Sequence, residues 1–263
     1  MIDPVDCAYL SAQCLARAGL RLDADKAYLI ESRLTPVARR EGYVSLDAFV
    51  QAIRDGDDRL AWTAIEAMAL PETEFFRDRT VFHHLVETVL PALVKARGDQ
   101  PVRVWSAACG TGQEIYSLAM LIAEAPSLAG RVELYASDLS ERSLEKAISG
   151  IYSQFEVQRG LPARLLIRHF ENRGEAFQLS PRIRQMVRWR RANLMDDVSA
   201  FGEFELVLCR NLLGQLAPEA LGRVRARLAK ATAPQGRLVL GLKDPMGDLA
   251  PVTPETGVFA RAA

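Results

Sequence analysis

The chain reads as an α/β protein: an all-α segment over residues 1–70, then a sheet domain over 71–263 with a small antiparallel β insertion at about 159–192. Three observations predict this. Apolar residues recur at helical spacing up to Leu70, as in Cys7, Leu10, Cys14 and Ala18. From residue 80 short β-branched runs alternate with helical segments, which argues for a mostly parallel sheet covered on both faces. Between the second and third of those runs lies a long interval, 137–203, with strand-like alternation at Ala176–Leu179 and Met186–Trp189 around Pro181.

In the helical segment, Asp3-Pro4 supplies an N-cap and a proline at the first helical position, and Gly19 a stop. A second helix is expected from Asp23, with Pro36 weakening its far half because proline removes a donor and crowds the preceding turn. Ser45 caps a third helix, and Asp57 or Asp58 a fourth ending near Leu70. Further on, strands are expected at Val102–Trp105, Val132–Ala136, Phe204–Cys209 and Arg237–Leu242, with helices at Glu114–Ala125 and Ser140–Ser149.

Composition excludes several classes. Lys plus Arg and Asp plus Glu are 33 each, so the chain is neither a polybasic coat nor an acidic disordered tail. The apolar stretch Ile115–Ala123 falls far short of the roughly 20 residues that cross a bilayer, and the N-terminus has acids where a secretory signal is basic. Cys7, Cys14, Cys109 and Cys209 form no CxxC pair, and His83, His84 and His169 have no ligand-like spacing, so reduced thiols, a cytoplasmic location and no metal site are expected.

The segment Val102–Glu114 is strand, glycine turn, helix. Small residues there admit a ligand close to the backbone, at the carboxyl end of a strand where such sheets bind ligands. No Lys follows Gly110 or Gly112 as a phosphate loop requires, and Ile115 stands where a dinucleotide fingerprint needs a third small residue. A turn with no ligand is the alternative. The next strand ends in Asp138, 26 residues past Gly112, suited to accept two ribose hydroxyls, or else to cap the following helix. Together the two features favour an adenosine ligand without phosphates, with S-adenosylmethionine the foremost candidate.

Thr73-x-Phe-Phe-Arg77, Arg103–Ala107, Thr111-Gly-x-Glu-x-Tyr-Ser117, Ala136-Ser-Asp138, Gly150-Ile-Tyr152, Asn193-Leu194 and Cys209-Arg-Asn211 occur in this order. The series resembles the chemotaxis receptor (protein-glutamate) O-methyltransferases of the CheR type, over nearly the whole chain. The resemblance implies a class I S-adenosylmethionine-dependent methyltransferase domain, Rossmann-like, after the helical segment. It also implies methyl esterification of receptor glutamates. By it, Thr73 and Arg77 lie at the mouth of the site, Gly110 and Gly112 form the turn, and Glu114 holds the ligand's ammonium. Asp138 takes the ribose, Asn193 and Leu194 frame the adenine, Arg210 and Asn211 line the ligand, and Arg33 and Arg39 meet the receptor. Arg77, with its bidentate fork, and Gln215 are the expected catalytic residues.

Three positions depart from the family's pattern. Pro71 replaces a frequent Asn, Gly112-Gln-Glu-Ile-Tyr116 replaces Gly-Glu-Glu-Pro-Tyr, and Gln215 stands where an aromatic hydroxyl is usual. Gln215 leaves open a cofactor-binding signalling module with weak or no transfer; a methyltransferase for another protein is a further alternative. A nucleic-acid amino-methyltransferase would show Asp/Asn-Pro-Pro-aromatic where this chain has Arg210-Asn-Leu. Residues 159–191 hold nine Arg and two Glu, a net +7 that suits an acidic receptor bundle. The short link Phe170–Phe177 predicts no tight docking on a receptor's C-terminal pentapeptide. A basic surface without interleaved aromatics predicts no nucleic-acid partner, and a monomer is expected.

Overall fold

A computed structural model describes residues 2–22, 27–69, 71–245, 247 and 249–261. The chain divides into two compact units, Met1–Leu70 with Gln215–Val224, and Pro71–Gly214 with Arg225–Ala263.

In the first unit, helix α1 (Pro4–Ala18) begins where the Asp3 carboxylate accepts the Val5 N–H at 2.7 Å. It stops at Gly19, whose φ of 67° is left-handed and whose N–H returns to the Leu15 carbonyl. Helix α2 (Ala27–Arg40) runs through Pro36; the expected start at Asp23 lies outside the described residues. Pro36 points outward, while Leu34, Val37 and Ala38 on either side of it are buried. An interior proline costs about 3 kcal/mol. Burial of side chains the size of Leu34 and Val37, about 2 kcal/mol each, offsets that. Ser45 caps α3 (Leu46–Arg54) and Asp57 caps α4 (Asp58–Met68) through their side chains. Phe49, Val50, Leu60, Ala64 and Ile65 form the apolar faces that the helices bury. Residues 215–217 join this unit through backbone bonds: Arg21 N–H to the Gln215 carbonyl and Ala217 N–H to the Gly19 carbonyl, both 2.9 Å.

The second unit opens with α5 (Arg79–His84) and α6 (Leu90–Arg97), joined by a π-helical turn. Then follow β1 (Val102–Ser106), α7 (Gln113–Glu124), β2 (Val132–Asp138) and α8 (Glu141–Ser149). Next come β3 (Ile151–Ser153), α9 (Gln154–Gln158), α10 (Ala163–His169), β4 (Phe170–Asn172), β5 (Ala176–Leu179), α11 (Pro181–Arg184) and β6 (Val187–Arg191). The chain closes with β7 (Phe204–Cys209), α12 (Pro218–Ala231), β8 (Thr232–Leu240), β9 (Pro251–Thr253) and β10 (Val258–Ala260). The main sheet has the order β6-β2-β1-β7-β8-β10-β9. Its first five strands are parallel, and β10 runs antiparallel to both of its neighbours, β8 and β9. Every residue of β7 is buried, as expected of a strand covered on both faces. Its one acid, Glu205, accepts the Arg103 N–H at 2.7 Å and pairs with Arg97.

The insertion differs from its expected bounds. The antiparallel sheet, order β3-β5-β4, is built from residues 151–179. The Met186–Trp189 run instead becomes β6, pairing in parallel with β2 from Leu134↔Val187 to Asp138↔Arg191. An edge strand of the main sheet with one covered face alternates apolar and polar just as a hairpin strand does, so local pattern does not name its partner. Trp189 supplies the covered face, packing edge-on against Tyr116 at 5.5 Å. The +7 region is therefore dispersed, and six of its nine arginines form ion pairs: Arg159 with Glu74, Arg164 and Arg168 with Glu124, Arg173 with Glu171, Arg188 with Glu133 and Arg191 with Glu141.

Candidate active site

The carboxyl ends of β1, β2 and β7 lie side by side, and the chain leaving β1 turns sharply through Gly110 and Gly112. Both glycines are left-handed, at φ 54° and 92°. A Cβ on Gly110 would stand 2.6 Å from Pro71 Cβ and 3.0 Å from Thr73 Cγ2, so only glycine lets the 71–73 segment lie against the turn. Backbone bonds from Ala107 N–H to the Leu208 carbonyl (2.8 Å) and Cys109 N–H to the Ser137 carbonyl (3.0 Å) fix the turn to both neighbouring strands.

Asp138 ends β2, and its two carboxylate oxygens accept the Gly110 N–H at 2.8 Å and the Ser140 N–H at 2.9 Å. The cap of α8 is Ser140, whose hydroxyl accepts the Ser143 N–H. Asp138 thus holds the glycine turn from the end of β2.

Glu114 sits in the first turn of α7, where a helix N-terminus favours an anion, and is only 8% exposed. Its Oε1 accepts the Ser106 hydroxyl at 2.9 Å and its Oε2 the Arg210 Nη1 at 3.2 Å. Burial pushes its pKa up, opposed by the Arg210 charge and by the hydrogen bonds from Ser106 and Arg210.

Arg210, just past β7, is buried and ties three segments together. Besides Glu114 it donates through Nη2 to the Arg77 carbonyl at 3.0 Å and to Asp78 Oδ2 at 2.5 Å, and its guanidinium lies over the Phe82 ring at 5.5 Å. The loop it grips is strained, since Phe76 and Asp78 both have positive φ, 52° and 56°. A bulky aromatic in that region persists only when its surroundings over-determine it. Phe76 is held by its N–H to the Ser117 hydroxyl (3.0 Å) and by its ring against Phe82 (5.6 Å). The Arg77 side chain is half-buried and folds onto its own loop, donating to the Glu72 carbonyl at 2.9 Å and lying 3.4 Å from the Glu72 carboxylate.

Asn211, also at positive φ (62°), donates its N–H to Asp244 Oδ2 at 2.6 Å. Asp244 accepts from Gly241 N–H at 2.8 Å as well and so organises the ends of β7 and β8, a role the sequence reading missed. The only cue was its place just after a strand. Asn193 and Leu194 follow β6, and Ala192 N–H joins the Asp138 carbonyl at 3.0 Å, so this turn lies beside Asp138. Asn193 Oδ1 accepts the Met195 N–H (3.0 Å), and the buried Leu194 offers its carbonyl to Arg227 (2.9 Å).

Thr73, Arg77, Gly110, Gly112, Glu114, Asp138, Asn193, Leu194, Arg210 and Asn211 thus all belong to one edge of the second unit. Arg33, Arg39 and Gln215 belong to the first. There Arg33, expected at a receptor contact, is half-buried and donates to the Met68 carbonyl at the end of α4 (3.1 Å), with burial lowering its pKa. Arg39 is exposed.

These residues fit S-adenosylmethionine. Thr73 Oγ1 is buried without a hydrogen-bond partner among the described residues, and its side chain packs close to Gly110, which suits a hydroxyl that bonds a ligand. A buried anion for an ammonium and an acid for a ribose stand on either side of a turn that lacks a phosphate-binding lysine.

Residues 71–255 match the family described as CheR methyltransferase, SAM binding domain. A chemotaxis protein methyltransferase 1 of Pseudomonas aeruginosa is 37% identical, with 88% of this chain and 86% of that one covered. A chemotaxis protein methyltransferase of Vibrio parahaemolyticus is 33% identical over 92% of this chain and 88% of its own. A probable biofilm formation methyltransferase, WspC, of Pseudomonas putida is 32% identical over 86% of this chain and 53% of its own.

Proposed function

The chain belongs to the CheR methyltransferase family, and on that premise we propose that it transfers the methyl group of S-adenosylmethionine to glutamate side chains of a chemotaxis-type receptor. The observation that carries this is the cradle of Glu114, Asp138 and the Thr73 hydroxyl, which has no partner among the described residues, around a glycine turn without a phosphate-binding lysine.

When bound, S-adenosylmethionine supplies a methyl sulfonium, an electrophile for a carboxylate oxygen. Glu114 holds the ammonium, Asp138 the ribose hydroxyls, and Asn193 and Leu194 frame the adenine. Thr73 Oγ1 donates toward the amino-acid part. A substrate glutamate is ionised near neutral pH, so no residue need act as a general base. Alignment and exclusion of water are the main demands on the protein. Arg77 exchanges Glu72 for the incoming carboxylate, gripping it with two parallel N–H donors. Gln215 is assigned to position that carboxylate, its amide replacing the aromatic hydroxyl usual in the family.

The same reading makes the protein a cytoplasmic monomer that meets the receptor near Arg33 and Arg39, binds no nucleic acid and does not use tight pentapeptide docking. It is supported by the short turn between β4 and β5, Arg173 to Glu175, which leaves little chain to wrap a peptide. Among the described residues no helix is long and apolar enough to cross a membrane. Transfer of radiolabelled methyl groups to receptor cytoplasmic fragments, released as volatile product by base, tests the function. Gln215 favours one rival, a cofactor-binding module without transfer, which predicts ligand binding and no labelled receptor.

A further inference from the structure

Tyr152 is the centre of β3 in the insertion, and its side chain leaves the small sheet to reach the cofactor turn. It is fully buried, and its hydroxyl donates to the Thr111 carbonyl at 2.8 Å, at the apex between Gly110 and Gly112. A Cβ on Gly112 would stand 3.2 Å from that hydroxyl, so the turn is packed directly on it. The same ring meets Phe75 edge-on at 5.0 Å, and Phe170 of β4 completes an aromatic group with Phe75 at 5.8 Å. From the other side, Gly160 lies so close to Phe75 that a Cβ would fall 1.9 Å from its carbonyl oxygen, and Arg159 pairs with Glu74 at 2.7 Å. The insertion is therefore fastened both to the turn and to the Thr73–Arg77 loop.

We propose that Tyr152 is a positioning residue of the cofactor site, fixing the Gly110–Gly112 turn through Thr111 and the Thr73–Arg77 loop through Phe75. One rigid ring sets the distance between the two segments that carry the ligand. The proposal rests on the cofactor reading above. Burial keeps the phenol protonated, so the donor is present across the working pH range.

The test compares Tyr152→Phe with Tyr116→Phe, using S-adenosylhomocysteine as the probe in titration calorimetry and recording Tm for each variant. Tyr116 makes a bond of the same kind and length, hydroxyl to the Ala147 carbonyl of α8 at 2.8 Å; its ring edge also lies 3.2 Å from a Cβ on Gly112, a contact that phenylalanine keeps, so the variant removes only the bond to α8. Loss of one buried hydrogen bond that acts on the ligand cradle is expected to raise Kd about tenfold in Tyr152→Phe. Tyr116→Phe is expected to lose similar thermal stability with Kd within about twofold of the parent. Equal Kd changes in the two variants, or a Kd for Tyr152→Phe within twofold of the parent, would overturn the proposal and leave Tyr152 a packing residue. A parent protein that does not bind S-adenosylhomocysteine would overturn the cofactor reading itself, and the proposal with it.

Discussion

Replacing Arg210 with methionine removes the buried cation on which the site is assembled while keeping most of its volume. The side chain now bonds Glu114, Asp78 and the Arg77 carbonyl, and two of those partners are carboxylates. Removing one member of a buried ion-paired group leaves an uncompensated charge, a cost of about 3–5 kcal/mol. The upper half of that range is expected, because Glu114 is buried and, among the described residues, keeps the Ser106 hydroxyl as its one hydrogen-bond partner. Asp78 is partly exposed and recovers some hydration. The cost is pH-dependent with a definite sign. Glu114 already titrates above its ordinary value through burial, and loss of Arg210 raises it further. A carboxyl whose folded pKa lies above its unfolded one favours the folded state when protonated, so its penalty grows as pH rises through the folded value. The variant should be less destabilised at pH 5.5 than at pH 8. Urea unfolding at both pH values reads this directly. A loss under 1 kcal/mol at pH 8, or one that is the same at both, would refute the assignment of Arg210 as the charge that holds Glu114 and the Arg77–Asp78 loop.

Four further outcomes follow from the geometry. Arg77→Ala should lower single-turnover methyl transfer at least a hundredfold with S-adenosylhomocysteine affinity within about threefold, since its guanidinium is assigned to the incoming carboxylate; unchanged transfer would sink that role. Gly110→Ala forces a Cβ to 2.6 Å from Pro71 and a left-handed φ on alanine. A loss of about 1–3 kcal/mol in stability together with weaker ligand binding is expected, read by thermal unfolding with and without ligand. Ligand affinity should fall on acidification, beginning above the ordinary carboxylate range, because Glu114 must be ionised to hold an ammonium and its pKa is raised; calorimetry between pH 5 and 8 that shows a flat profile would contradict this. An isolated receptor C-terminal pentapeptide should bind no tighter than about 10 µM, roughly 7 kcal/mol.

Much of this was legible because it is local. Asp3, Pro4 and Gly19 define α1 through contacts within one turn, and Ser45 and Asp57 do the same for α3 and α4. The glycine turn and Asp138 stand at strand ends, where a parallel sheet presents its ligand, so strand prediction alone brought them together. What escaped is set by partners distant in sequence. Whether Val187–Arg191 pairs with β2 or with a hairpin neighbour depends on which edge is free, not on its alternation. Arg210 reads as a ligand residue from its place after a strand, and its bonds to Arg77, Asp78 and Glu114, 96 to 133 residues away, add a role in holding the loop that no local pattern carries. Arg33 likewise looks like a surface cation until the Met68 carbonyl is found to receive it. Tyr152 belongs to the motif that the resemblance supplied, yet its bond to Thr111 spans 41 residues and no spacing rule predicts it.

The central claim is that this site methylates receptor glutamates, and the most direct measurement is a paired one. Purified protein is titrated with S-adenosylhomocysteine, and the same preparation is incubated with tritiated S-adenosylmethionine and receptor cytoplasmic fragments. Binding together with base-labile label on glutamates, absent when those glutamates are changed to alanine, is the predicted result. Binding with no label on any fragment would contradict transfer and leave a cofactor-binding signalling module.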